Sequence, residues 1–360
     1  MKKIKTSTQQ SAFNERRTLL KQGLAMLAMG SLAAKPLTVL AQQQARAPAQ
    51  GAAATPPEAA ARLVLLGTKG GPGIDLTRSQ CASAVVVDGV PYLVDCGYGT
   101  VRQLVASKIG FQRVSNIFLT HLHDDHTADL TALLNFQWTN GNKATPTDVY
   151  GPYGTAKMVE AIIGVATPNA EIRMVDEGRK LQLSTLFHGH DVNISPSKVV
   201  IYKDERVTVT GIQNAHYPES SLARMQHRSM AIRFDTQYRS IVFSGDTSYS
   251  TGIVELAKGA DLFVCEVQDE AQHEVMVARA KAEAEAGNPD SVSSHLAKTH
   301  SPPSMVARMA TEAKVGTVVL NHQLPGAGKG GLAYPVSSFV DAVRKGFAGE
   351  VIAGEDLMVI

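Results

Sequence analysis

The chain is short of cysteine, of long apolar runs and of net charge, and each shortage argues against a class of protein. Its 360 residues include three cysteines, too few for a disulfide-stabilised scaffold or for a zinc module built on four cysteine ligands. No apolar run reaches the roughly 18 residues that a membrane-spanning helix needs, which argues against an integral membrane protein. A hydrophobic share of 44% excludes wholesale disorder. We therefore expect a folded protein with a substantial core.

The first 41 residues have the features of an export signal. A lysine-rich start leads to the pair Arg16 and Arg17, which precedes a short apolar stretch at 23–34. Val-Leu-Ala at 39–41 places small residues where a signal peptidase cuts. Paired arginines favour the twin-arginine route, which carries folded proteins; a chance pair in an ordinary secretion signal is the alternative. The sequence predicts a signal peptide at 1–41 and a periplasmic location.

Removal of that signal changes the charge of the chain. It takes away seven basic residues and one acidic residue, which leaves 28 basic and 32 acidic residues and a net charge of −4. Proteins that hold nucleic acid are usually basic, so we expect no nucleic-acid partner. Residues 42–61 are mostly Gln, Ala and Pro and predict a flexible linker. One globular domain is predicted at 62–360.

Strand patterns alternate with helix patterns along that domain. A buried strand is predicted at 63–66, and an Asp-Gly turn at 88–89 predicts a hairpin over 84–95. The hairpin register would bring Cys81 opposite Cys96, which leaves a disulfide and two free thiols as alternatives. This mixture predicts two packed sheets with helices outside, an α/β fold. The other predicted segments are strands at 116–120, 147–150, 261–267 and 317–320, several strands within 199–243, helices at 127–138, 153–165, 253–258, 268–286 and 302–313, and a loop at 188–190.

The run His-Leu-His-Asp-Asp-His at 121–126 follows an apolar strand and precedes a helix. Imidazoles and carboxylates are ligands suited to zinc. Histidines two apart on extended chain share a side, so His121 and His123 can hold one ion, while Asp125 and His126 can face a second. Sites assembled from strand-end loops are common on rigid scaffolds. Three more ligand-type residues follow predicted strands: His216, Asp246 and His322.

These motifs, in this order, resemble the metallo-β-lactamase superfamily over about residues 62–358. The resemblance implies a four-layered αβ/βα sandwich with two metal ions in a groove between the sheets. The implied cofactors are two zinc ions, although manganese or iron would also suit the ligands, and a hydroxide bridging the ions would be the nucleophile. The implied ligands are His121, His123 and His216 for one ion, Asp125, His126 and His322 for the second, and Asp246 for both.

Three further runs are similar to the ribonuclease Z subgroup, at 95–100, 263–266 and 299–302. In that family a His oriented by a Glu acts near the leaving group, and His300 with Glu266 matches this pair. A neighbouring Glu raises the pKa of a His and suits it to general acid work. Asp125 is the third residue expected to take part in catalysis. His295 competes with His300 for the acid role, but it lies in a predicted polar loop.

The sequence also departs from ribonuclease Z. Members that bind tRNA usually carry a long exosite arm, often between the third His and the bridging Asp. Here 30 positions separate His216 from Asp246, and a hairpin takes up most of them. Exported relatives with this layout include arylsulfatases and periplasmic cyclic-nucleotide phosphodiesterases.

We therefore predict an exported dinuclear-zinc hydrolase of a small anionic ester, either a phosphodiester or an aryl sulfate. The alternatives are a β-lactamase or lactonase, a ribonuclease Z-like endoribonuclease, and a metal-binding protein without turnover. The sequence leaves the oligomeric state open, a dimer included.

Overall fold

The computed structural model describes residues 61–140, 145–324 and 337–360. The predicted signal at 1–41 and the predicted linker, apart from Ala61, lie outside the described residues. Ala61 already belongs to the first strand, one residue before the predicted start of the domain. Among the described helices, none combines the length and the apolar composition that crossing a bilayer requires.

The first sheet has six strands that follow one another in chain order. Its first three strands pair antiparallel, and the pairs from the third strand to the sixth are parallel. The hairpin turns at Asp88 and Gly89 as predicted, with Val87 opposite Val90. The strands are β1 (Ala61–Gly67), β2 (Ala82–Val87), β3 (Val90–Val94), β4 (Asn116–Phe118), β5 (Thr147–Gly151) and β6 (Phe187–Asp191).

The second sheet has seven strands, which likewise neighbour one another in chain order. It is antiparallel at its start and parallel from the fourth of its strands onward. In both sheets the carboxyl ends of the parallel strands therefore meet along one edge. The strands are β7 (Val199–Lys203), β8 (Val207–Gln213), β9 (Met230–Thr236), β10 (Ser240–Phe243), β11 (Leu262–Gln268), β12 (Thr317–Leu324) and β13 (Glu350–Ala353).

Ten described α-helices connect these strands. Some are single turns, and the longest has 22 residues. They are α1 (Thr100–Ala106), α2 (Asp124–Thr127), α3 (Leu130–Asn140), α4 (Thr155–Asp176), α5 (Glu219–Leu222), α6 (Thr251–Leu256), α7 (Glu270–Glu285), α8 (Val292–Thr299), α9 (Pro303–Ala313) and α10 (Ser337–Arg344).

Three buried apolar clusters define four layers. One cluster joins the inner faces of the two sheets, where the Phe118 ring of β4 meets the Phe234 ring of β9 edge-on at 5.4 Å. A second joins the outer face of the first sheet to α1, α3 and α4. The third joins the outer face of the second sheet to α6, α9 and α10. Truncating a buried Leu or Phe costs about 2–5 kcal/mol, so this packing is what holds the two sheet edges in place. The predicted αβ/βα sandwich is confirmed.

Several predicted boundaries were wrong, each for a tertiary reason. Helix α4 runs past Val165 to Asp176 despite Pro168, because its buried face continues to pack on the first sheet. Residues 188–190, predicted as a loop because of Gly189, form β6, which pairs with β5. Strand β12 continues to Leu324 because β11 pairs with it that far. Cys81 and Cys96 are buried free thiols, so the disulfide alternative does not apply.

Candidate metal centre

Five strand ends supply the candidate site. Residues 121–126 lie just beyond β4, His216 lies beyond β8, and Asp246 lies beyond β10. Glu266 and His322 are near the ends of the parallel neighbours β11 and β12. The seven predicted ligands, which span 201 positions of the chain, come together at this edge in two groups.

The first group consists of three imidazoles. His123 Nδ1 lies 3.1 Å from His121 Nε2 and 3.1 Å from His216 Nε2. Burial, the largest cause, lowers the pKa of His121 and of His216 well below the usual value, which favours the neutral imidazoles that metal ions require. The three nitrogens form a group of the size that one ion would fill.

Hydrogen bonds behind this group orient the rings. Thr120 Oγ1 lies 3.1 Å from His121 Nδ1, and the carbonyl oxygen of Thr299 lies 3.4 Å from His216 Nδ1. A ring N–H that donates to such a partner leaves the other nitrogen unprotonated and aimed away from it. Both Nε2 atoms therefore face the centre of the group.

The second group is fully buried and combines two carboxylates with two imidazoles: Asp125, His126, Asp246 and His322. His322 Nε2 lies 3.1 Å from Asp125 Oδ2 and 3.1 Å from Asp246 Oδ2. Asp246 also lies 3.2 Å from His126 Nε2 and 3.9 Å from His121 Nε2. This carboxylate is thus between the two groups, where the bridging role was predicted.

Neighbouring residues hold the second group in place. Asp95 Oδ2 lies 2.8 Å from His126 Nδ1, and Asp95 also accepts a hydrogen bond from the Thr120 backbone N–H at 2.8 Å. The N–H of Gly71 donates to Asp125 Oδ2 at 2.8 Å. A Cβ on the adjacent Gly70 would lie 2.6 Å from His322 Nδ1, so only glycine allows this loop to approach His322.

His322 has an unusual backbone for a non-glycine residue, with a φ of 37°. This unusual conformation occurs where the pairing of β11 with β12 is irregular. Glu266 opposes Asn321 and Val267 opposes Gln323, so His322 lies between the two pairs. The extra residue of a β-bulge is unpaired and its side chain is re-aimed. That is how a residue within a strand points its ring at Asp125 and Asp246.

The residues present fit two metal ions. His126 Nε2 and Asp246 Oδ1 are buried and, within the described residues, neither has a hydrogen-bond partner. They lie 3.2 Å apart, an ion-pair distance, but without hydrogen-bond geometry. Burial opposes ionisation of Asp246, yet His322 and His126 outweigh it and lower the pKa of this carboxyl. Buried polar atoms left unpaired in this way are costly, and cations coordinated by them would remove the cost.

A buried ion pair lies beside the second group. His300 Nδ1 is 2.7 Å from Glu266 Oε2, and Glu266 Oε1 accepts a hydrogen bond from the Thr247 backbone N–H. Burial opposes protonation of His300, but the Glu266 carboxylate outweighs it, so the pKa of His300 is raised. The ring of His300 stacks on that of His322 with centroids 5.9 Å apart. The predicted pair is therefore formed, next to the predicted ligands.

Sequence reasoning missed two residues around the site and placed a third in the wrong element. Asp95 and Thr120 orient the ligands from behind; Asp95 follows a strand, which is a weak signal. His295 was placed in a polar loop, but it lies on α8, and its ring contacts those of His123, His216 and His300. The spacing of His295 and Thr299, four residues apart, is compatible with a helix and was the available signal. His188 and His190 lie elsewhere, beside Asp148.

Comparison with known proteins gives consistent matches. A family described as "Beta-lactamase superfamily domain" matches residues 91–323. The ribonuclease Z of Mycobacterium avium (strain 104) is 28% identical over 304 residues, which cover 82% of this chain and 96% of that protein.

Two solved structures also match. The short form of human tRNase Z has a TM-score of 0.57 at 25% identity, covering 83% of this chain and 98% of that one. The metallo-β-lactamase fold protein YhfI from Bacillus subtilis has a TM-score of 0.57 at 19% identity, with the same coverage, and shows the likeness of fold. Together with the donor groups of the site, these matches identify a metal-dependent hydrolase acting on ester bonds, and the chain belongs to the metallo-β-lactamase superfamily.

Proposed function

We propose that the chain is a phosphodiesterase that works with two zinc ions and cleaves small phosphodiesters. The proposal is supported by the two donor groups and by the His300–Glu266 pair beside them. When bound, two such ions lower the pKa of a water molecule and withdraw charge from a phosphoryl oxygen.

Different side chains act at the attacking oxygen and at the leaving oxygen. Asp125 and Asp246 supply the negative charge of the ligand set and border the space where water would attack. Asp95 keeps the Nε2 of His126 turned toward that space through its 2.8 Å contact with Nδ1. On the other side, Glu266 holds Nδ1 of His300. The remaining nitrogen, Nε2, is then free to deliver a proton to the leaving oxygen.

The 2.7 Å contact between His300 Nδ1 and Glu266 Oε2 is the observation that carries the proposal. An alkoxide leaves poorly unless a proton reaches it as the bond breaks, and positioned general acids contribute about 10²–10⁴-fold. Both members of the pair are buried, at 4% and 2% exposure, which strengthens their interaction. A histidine oriented in this way suits esters whose leaving group is a poor, alkoxide-like one.

A small substrate is favoured by the segment between His216 and Asp246. The short helix α5 and the hairpin of β9 and β10 take up most of this described stretch, which leaves no room in it for an exosite arm. The chain without residues 1–41 carries a net charge of −4, which does not favour a polyanionic partner.

A ribonuclease Z-like endoribonuclease is the second candidate. It is favoured by the 28% identity to the Mycobacterium avium ribonuclease Z, which is covered over 96% of its length. The two candidates share the chemistry of the cleaved bond. They differ in whether the protein must hold a long polyanion.

A substrate panel on zinc-loaded protein tests both candidates. The panel contains an alkyl nitrophenyl phosphodiester, a cyclic nucleotide, an aryl sulfate, a chromogenic β-lactam, a lactone and a tRNA precursor with a 3′ trailer. We expect turnover of the small phosphodiesters and little cleavage of the precursor. Preference for the sulfate, the lactam or the lactone would contradict the proposal, and efficient precursor cleavage would favour the ribonuclease.

We further propose that the protein is exported to the periplasm by the twin-arginine route. The support is the Arg16-Arg17 pair ahead of a short, mildly apolar stretch. Changing Arg16→Lys together with Arg17→Lys should leave folded precursor in the cytoplasm, detected by fractionation and zinc content. Normal periplasmic accumulation of the double variant would instead indicate the general secretion route.

A further inference from the structure

His295 has no role in the proposed reaction, although it lies against the site. It projects from α8, is half-buried, and contacts three other histidine rings. Its ring centroid is 5.0 Å from that of His216, 5.6 Å from that of His300 and 6.0 Å from that of His123. A histidine held this close to two predicted ligands and to the predicted acid borders the space where a substrate would bind.

The helix that carries His295 is fixed firmly. The Ser291 side chain caps it by accepting a hydrogen bond from the Ser294 N–H at 3.1 Å. The same hydroxyl donates to Glu283 on α7 at 2.5 Å. At the other end, the Thr299 carbonyl meets His216 Nδ1, and His300 ends the helix. His295 and His300 are therefore presented by one rigid element.

Contacts with the protein leave hydrogen-bonding capacity on the ring of His295. Within the described residues its two nitrogens have long contacts, both 3.4 Å, with Thr299 Oγ1. That hydroxyl donates its proton to the His295 carbonyl at 2.8 Å. Both contacts are long, and the hydroxyl proton is already donated to the carbonyl, so the ring N–H of His295 can donate to a different partner instead.

The ring of His295 can contact the same substrate group as His300. Donor atoms of His216, His295 and His300 all lie within 4.8 Å of one another. Two nitrogens at that separation can each reach a different oxygen of one phosphoryl group through hydrogen bonds of about 2.8–3.0 Å. His216 has no nitrogen left for a further ion there, because Nε2 faces the first group and Nδ1 faces the Thr299 carbonyl. An anionic oxygen therefore fits the space better than a third metal ion.

We infer that His295 is a substrate-positioning residue that donates a hydrogen bond to a non-bridging oxygen of a tetrahedral phosphoryl group, next to the leaving oxygen that His300 protonates. The inference rests on the proposed phosphodiesterase function and deepens it. A tetrahedral anionic ester has oxygens to spare for this subsite, whereas the planar carbonyl of a lactam has one. His295 thus favours phosphoryl and related tetrahedral substrates over lactams and lactones.

The test compares His295→Ala and His295→Gln with the unaltered zinc-loaded protein. We expect the Kd for inorganic phosphate, measured by calorimetry, to rise about 10–100-fold in His295→Ala, since hydrogen bonds to charged groups have that weight. KM for an alkyl nitrophenyl phosphodiester should rise in parallel with a smaller change in kcat. The zinc content should not change. His295→Gln keeps a donor and should restore part of the phosphate affinity.

His273→Ala is the matched control, because His273 is a half-buried histidine on the neighbouring α7 that contacts Gln268 instead. It should leave the Kd for phosphate unchanged. An unchanged Kd in His295→Ala, or the loss of a zinc ion from it, would overturn the inference. If the unaltered protein hydrolysed no phosphodiester while His295→Ala still bound phosphate more weakly, the proposed function would fail and the anion subsite would stand.

Discussion

The two sides of the site differ in how their residues are brought together. On one side, residues 121–126 supply four predicted ligands from the loop after β4 and the short helix α2 that follows it. On the other, α8 places His295 and His300 against Glu266 and His216, which lie 34 and 84 positions from His300. The four residues of the first side are brought together largely by their closeness in the chain. The residues of the second side are brought together by the packing of α8. We therefore expect substitutions of the predicted ligands to remove the metal ions, and substitutions on or beside α8 to alter the rate and the substrate selectivity.

The largest effect should come from Asp246, which lies between the two groups. Asp246→Ala should lose both ions and all measurable turnover, because this carboxylate contacts His121, His126 and His322. Elemental analysis should find about two zinc ions per chain in the unaltered protein and almost none in the variant. His188→Ala, a surface histidine beside Asp148, is the control and should keep its zinc. Full metal in Asp246→Ala would contradict the bridging role.

The next largest effect should come from His300 and Glu266, on the side of the site that α8 forms. His300→Ala should keep its zinc but lose about 10²–10⁴-fold in kcat on alkyl phosphodiesters, since these need a proton at the leaving oxygen. Nitrophenyl leaving groups need no proton and should be affected little. Glu266→Gln should show the same pattern in milder form, because it removes the charge that orients the ring. Equal slowing of both ester types would argue against His300 as the acid.

A smaller effect should follow from a change at Asp95, which contacts His126 of the run at 121–126 but lies outside that run. Asp95→Asn should lower the affinity of the second ion about 10–100-fold, as partners of metal-ligating histidines do. Competition for zinc with a chromogenic chelator measures this affinity. Asp204→Asn is the control, since that carboxylate contacts Tyr92 and Tyr202 instead. If both variants kept the affinity of the unaltered protein, Asp95 would have no such role.

The smallest effect concerns the caps of two helices. Ser291→Ala and Ser250→Ala each remove a side-chain cap, from α8 and α6 respectively. Each should cost about 1 kcal/mol of unfolding free energy in urea titrations. Only Ser291→Ala should also lower turnover, because α8 carries His295 and His300. Equal turnover in the two variants would mean that fraying of α8 does not disturb the positions of His295 and His300.

Much of the metal centre could be predicted because its signals are local or chemical. The run at 121–126 combines ligand types that rarely occur together, His216 and Asp246 each follow a strand with clear apolar patterning, and His322 follows the apolar part of β12. The Asp-Gly turn at 88–89 likewise specifies its hairpin, since both turn residues need a positive φ. In each case neighbours in the chain carry the information.

The features that escaped prediction depend on residues distant in the chain. Helix α8 has a polar sequence, and its position relies on Glu283 and on the contact between Thr299 and His216. Strand β6 contains Gly189 and two exposed histidines, and its pairing with β5 makes it a strand. Polar segments of this kind have weak intrinsic preferences, so tertiary contacts decide their conformation.

The sequence by itself determined which side chains are candidate metal ligands, their order along the chain and the family to which the protein belongs. The choice of candidates is a matter of donor chemistry, which the residue types already express. The tertiary structure alone decided that His322 would point inward from a bulge, that Asp95 would orient His126, and that His295 would lie against His216 and His300. Those outcomes follow from strand register and helix packing, because both are set by contacts between segments that lie far apart in the chain.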